Sequence, residues 1–146
     1  MRLTAFPQEI FSFPHLRYLD LSRNRIASIP GQIGSLKELK HLNLSNNLID
    51  AISDSIGQLQ ELVFLGLNRN QIHFLPATIG DLTSLEVLEL WDNELEDVPD
   101  EISRLQNLRV LELRGILFSD EQQSRIDALV VKTAKVYMSP SCNCKN

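Results

Sequence analysis

The chain has 146 residues, 43% hydrophobic and 23% charged, a balance that fits one soluble domain. Its net charge of −5, with 14 basic residues against 19 acidic ones and no basic run, argues against a nucleic-acid or lipid partner, whose affinity rests on clustered Lys and Arg. No apolar run approaches the ~20 residues a membrane-spanning helix needs, and Met1-Arg2-Leu3-Thr4-Ala5-Phe6-Pro7 lacks the charged-then-apolar form of a secretory leader.

In chain order, residues 1–15 read as the second half of a unit that then recurs: Leu3 to Phe13 aligns with Ile26 to Leu36 at an offset of 23. From residue 16 the offset holds without a gap, giving units 16–38, 39–61, 62–84 and 85–107 and a partial unit 108–118. The first opens Leu16-Arg17-Tyr18-Leu19-Asp20-Leu21-Ser22-Arg23-Asn24-Arg25-Ile26, and the second repeats it from Leu39 to Ile49. The third and fourth run from Leu62 and Leu85, while the partial unit has Ile116 where the others place asparagine. Each second half is also repetitive, as in Ile29-Pro30-Gly31-Gln32-Ile33-Gly34-Ser35-Leu36, with Ser53 replacing proline once.

Residues 119–138 break the period. Ser119-Asp120-Glu121-Gln122 has the form of a capping box, predicting a helix through Lys132 with Ile126, Leu129 and Val130 as its apolar stripe. Ala134 to Met138 reads as a closing strand, and 139–146 as a tail holding both cysteines, Cys142 and Cys144. A cysteine-free body favours a reducing compartment, so a cytoplasmic location is expected, with a removed leader as the alternative.

The L-x-x-L-x-L-x-x-N-x-L pattern resembles the leucine-rich repeat family, in the 23-residue subclass of intracellular and bacterial proteins. That resemblance implies an α/β solenoid coiled as a right-handed superhelix. A parallel sheet would line its concave face, with short helices or 3-10 turns on the convex face and a capping helix at the C-terminal end. The tail is similar to the ends of bacterial members, spirochaetal ones included, which implies a bacterial source. The family also implies protein or peptide ligands on the concave face and an asparagine ladder at Asn24, Asn47, Asn70 and Asn93.

The residues themselves point the same way. In Leu-x-Leu the leucines share one side of a strand and the intervening residues take the other. Proline suits the first turn of a short helix. The asparagine amide offers donors and an acceptor to turn groups that no ladder would satisfy. Equal repeat positions stack as columns. One outward column reads Tyr18, His41, Phe64, Val87, Val110; the next reads Asp20, Asn43, Gly66, Glu89, Glu112. Two more near the strand exits hold Ser22, Ser45, Asn68, Trp91, Arg114 and Arg23, Asn46, Arg69, Asp92, Gly115.

Rigid aromatic groups flanked by charge are what interfaces favour. The expected partner-binding set is therefore Tyr18, His41, Phe64 and Trp91 with Arg23, Arg69, Glu89, Asp92, Glu112 and Arg114. Gly66 is expected to leave a shallow dip between Phe64 and Trp91. His41 and Ser45 are too far apart along the chain to act together, and an Asp20–His41 approach lacks a nucleophile, so no enzyme is expected. No cofactor and no metal are expected either; Cys142 and Cys144 alone fall short of the four ligands of a structural zinc. The leading expectation is a non-enzymatic protein-interaction module. The alternatives are a self-assembling unit, a weak homo-oligomer through the N-terminal edge, and a secreted bacterial factor acting on a host.

Overall fold

The period-2 alternation of leucine with polar or aromatic residues fixes which row of each strand turns inward. In the computed structural model, which describes residues 2–141, that alternation builds a stack of short parallel strands. In chain order the strands are β1 (Tyr18–Asp20), β2 (Ser28–Ile29), β3 (His41–Asn43), β4 (Ala51–Ile52), β5 (Phe64–Gly66), β6 (Val87–Glu89), β7 (Val110–Leu113) and β8 (Lys135–Met138). Helix α1 (Asp120–Leu129) precedes the last of them. Cys142 and Cys144 lie outside the described residues.

The main sheet is wholly parallel, in the order β1-β3-β5-β6-β7-β8. Register advances by one repeat at each step: Tyr18 faces His41, His41 faces Phe64, Phe64 faces Val87 and Val87 faces Val110. At β8 the step lengthens, and Val110 faces Lys135 while Glu112 faces Tyr137. The inward leucines Leu42, Leu44, Leu65, Leu67, Leu88 and Leu90 are all 0% exposed. No coil could cover these alone; stacking does, at about 1.5–3 kcal/mol for each buried side chain.

On the far side run 3-10 turns at Gly31–Ser35, Asp54–Gln58, Ala77–Asp81 and Asp100–Arg104, with a first at Gln8–Ser12. Pro7, Pro30, Pro76 and Pro99 occupy the N-cap, one residue before the turn, with extended backbone. Where Ser53 replaces proline, its hydroxyl oxygen accepts from the Ser55 N–H and supplies the cap instead. Successive turns pack so closely that a Cβ on Gly80 would come within 2.3 Å of the Glu101 carbonyl oxygen. Glycine is needed there for approach, and Ser103 takes that register position in the last turn. A second, two-stranded parallel sheet pairs β2 with β4; its strands, Ser28-Ile29 and Ala51-Ile52, are too short to carry a sequence signal.

The two ends differ. At the C-terminal end Ser119 and Gln122 form a complete capping box on α1, and Ile126 is fully buried. Sequence periodicity carries this helix to Lys132, but it stops at Leu129. The next residue, Val130, is extended and 6% exposed. The β-branched pair Val130-Val131 turns the chain back toward β8. At the N-terminal end the half-coil packs Phe6 beneath the first full coil, 4% exposed, and the Leu3 carbonyl accepts from the Arg25 N–H. β1 has β3 as its one neighbour.

Candidate binding face

At the turn leaving each inner strand sits one of the four asparagines. The Asn70 side-chain amide donates to Leu67 O (2.9 Å) in its own coil and Leu44 O (3.1 Å) in the coil before. Its oxygen accepts the Ile49 N–H at 3.0 Å. Asn47 and Asn93 bridge neighbouring coils in the same way. Asn24 donates within its own coil, to Leu21 O and Ser22 O, and accepts from Leu3 N–H. In the last coil the buried Ile116 stands at this position and carries no amide for the ladder.

The residue before each asparagine turns the corner with positive φ: Arg23 (59°), Asn46 (56°), Arg69 (55°) and Asp92 (53°), then Gly115 (78°). Of these five residues only Gly115 is a glycine. The corner is held because each N–H bonds across to the next coil, for example Arg69 N–H to Trp91 O at 2.9 Å.

The outward residues fall into three groups. In the first, Tyr18, His41 and Phe64 stack ring on ring, with centroids 4.2 Å apart at both steps and planes within 11°. Tyr18 ends the stack and is 61% exposed, while His41 and Phe64 are partly covered. Burial between the rings pushes the His41 imidazole below its ordinary range, and the neighbouring Asp20 opposes that only in part. The expected dip at Gly66 is not present. The Phe64 ring lies over that glycine, 3.0 Å from where a Cβ would stand, and the glycine is buried. Removing a side chain there made room for the neighbouring ring rather than for solvent.

In the second group, the Arg69 guanidinium covers one face of Trp91, 4.5 Å from the ring centre, and lies 3.6 Å from Asp92. Trp91 is therefore separated from the ring stack and half-covered by its own chain. The third group is acidic. Glu112 is 7% exposed and takes a bidentate contact from Arg114 at 2.8 and 2.6 Å. Beside it, burial and then the Glu112 charge push the Glu89 carboxyl upward. Two residues missed from the sequence join this end of the face. The Arg114 guanidinium lies 5.5 Å from the ring of Tyr137, and Lys135 continues the Tyr18 column. The alternation in Lys135-Val136-Tyr137-Met138 would have exposed both, but the longer register step hid which columns they enter.

None of these groups has the geometry of a catalytic site. The Ser45 hydroxyl is buried and held by Asn43 Oδ1 and Asn68 Oδ1 at 2.7 and 2.6 Å, with no imidazole at it. Asp20 is held below the usual carboxylate range: burial opposes this, but hydrogen bonds from Ser22 and Asn43 outweigh it. Among the described residues no three His, Cys, Asp or Glu side chains gather as a metal site. No described helix is long and apolar enough to cross a membrane.

A family model for a leucine-rich repeat region matches residues 6–136. Among solved structures, a leucine-rich repeat protein of Leptospira interrogans is 36% identical with a TM-score of 0.89, over 93% of this chain and 34% of that one. The leucine-rich repeat ectodomain of an Arabidopsis thaliana membrane receptor kinase, solved in complex with Casparian strip integrity factor 2, is 29% identical with a TM-score of 0.74. That match covers 92% of this chain and 16% of the receptor. An internalin of Listeria monocytogenes shares the fold at 20% identity and a TM-score of 0.70, over 93% of this chain and 40% of that one. No curated protein matches. The chain thus spans well under half of each solved neighbour.

Proposed function

Because the chain belongs to the leucine-rich repeat family, we propose that it is a non-enzymatic recognition module holding a protein or peptide on its concave sheet face. The observation that carries this reading is the Tyr18–His41–Phe64 stack. It is a rigid aromatic ledge on the open face, Tyr18 61% exposed, with charged groups on the same sheet. A preordered ring loses little freedom when a partner docks on it, which favours such groups as anchors. The Arabidopsis receptor ectodomain, solved with its factor, supports a ligand-holding role for the fold. The Leptospira likeness supports a bacterial source.

Tyr18 and Trp91 are the residues to test. Phe64 is a poorer probe, because its ring also packs on His41 and covers Gly66. Capture of partners from a displayed peptide library, followed by calorimetry, should show Tyr18→Ala and Trp91→Ala each weakening binding by about 2 kcal/mol. Undiminished binding by the double variant would move the site off this face.

Self-assembly is a second reading, favoured by the single neighbour of β1 and by exposed Phe13 (58%) beside it. Light scattering over a concentration series separates the two. A dimer that Phe13→Ser abolishes supports assembly, and a constant mass excludes it.

A further inference from the structure

We infer that the strand-exit corner of the first three coils is an oxyanion site, built from Arg2, Arg23 and Arg69 around Asn46. These four residues line one open pocket of about 360 Å³. Three of them are corner residues with positive φ, and each corner N–H is already bonded to the next coil. The side chains of Arg23 and Asn46 are therefore free to meet a ligand, and that of Arg69 borders the pocket from its place over Trp91. The coil spacing of ~4.8 Å sets the three corners in a row, with Asn46 between Arg23 and Arg69. Arg2 joins the row because its neighbour Leu3 is pinned, its N–H donating to Asn24 Oδ1 (2.8 Å) and its carbonyl accepting from Arg25 N–H (2.7 Å).

Two of the three arginines here lack a counter-charge. Arg17, Arg104, Arg109, Arg114 and Arg125 each meet a carboxylate. Arg2 and Arg23 meet none among the described residues, while Arg69 pairs with Asp92 at 3.6 Å, the same separation as Arg17 from Glu38. In a chain of net charge −5, the unpaired guanidinium groups of Arg2 and Arg23 at one pocket make a local field that draws anions. Guanidinium forks match the paired oxygens of a carboxylate or a phosphate.

The occupant is an acidic group carried by the peptide on the adjoining face, either a carboxylate or a phosphate monoester. That origin rests on the reading of the face given above; the anion site does not. Two small ions distinguish the sources. The isotope-labelled protein is titrated with inorganic phosphate and, separately, with acetate at constant ionic strength, following the arginine Nε–H signals.

Saturation by phosphate alone assigns a phosphate monoester; saturation by acetate as well assigns a carboxylate. Arg23→Asn puts at this corner the residue type Asn46 already supplies, so it removes charge without backbone strain. It should weaken the saturating ion about tenfold or more at an unchanged thermal midpoint, as should Arg2→Gln. Shifts that never saturate with either ion, or that survive in Arg23→Asn, overturn the site. Neither result touches the Tyr18 and Trp91 binding test, so failure of the pocket and failure of the face are told apart.

Discussion

Two columns run side by side along this sheet under the same period. The turn column holds Asn24, Asn47, Asn70 and Asn93, and its residue type does not change until Ile116 in the last, partial unit. The ring column, Tyr18, His41, Phe64, Val87 and Val110, changes at nearly every step. From Asn47 to Asn93 the turn column is buried, and each of these coils hands it the same carbonyls and N–H group. A single side chain solves that geometry, so it recurs. The ring column faces outward, where no backbone group depends on it. Monotony therefore marks what the solenoid needs to stand, and variety marks what it offers to others.

The sharpest way to break this contrast is Asn70→Leu. It strips two carbonyl acceptors, one of them in the coil before, and one N–H of their partner in a buried turn, and should cost on the order of 3 kcal/mol in urea unfolding. A shift under a few tenths would mean the column is ornamental. Asn24→Leu should cost less, about 1 kcal/mol, because Asn24 is only partly buried and has no carbonyl of an earlier coil to serve. Equal losses at the two positions would show that the bond to the earlier coil's carbonyl contributes nothing.

The smallest effect has the opposite sign. Burial and the Glu112 charge raise the Glu89 carboxyl, so its ionised form is disfavoured in the folded state. The penalty is present at neutral pH and disappears as pH falls through the raised folded value toward that of the unfolded chain, about 4.3. Glu89→Gln should therefore raise the unfolding midpoint at pH 7, by about 0.5 kcal/mol or less. It should match wild type once pH is below about 4, where both states of Glu89 are protonated. A gain that persists at acid pH would assign the effect to packing instead.

Legibility followed the same division. The inward leucines, the asparagine turns and the capping box at Ser119 were all readable, because each depends on spacing along one chain segment. The corner φ values at Arg23, Asn46, Arg69 and Asp92 were not, since none of these residues has the glycine that usually announces a left-handed turn. Nor was the end of α1 at Leu129, which is set by where β8 must rejoin the sheet.

What the sequence determined alone is the coil itself: a strict period of 23 settles which side chains turn inward, and burial follows from register. The surface chemistry was decided only in three dimensions. Phe64 folds over Gly66, Arg69 covers Trp91, and Arg2 closes a pocket begun by Arg23. Each of these contacts joins residues on different strands or coils, or lies in a side chain's choice of direction. Periodicity ranks positions as inside or outside, but packing between neighbours decides what the outside presents.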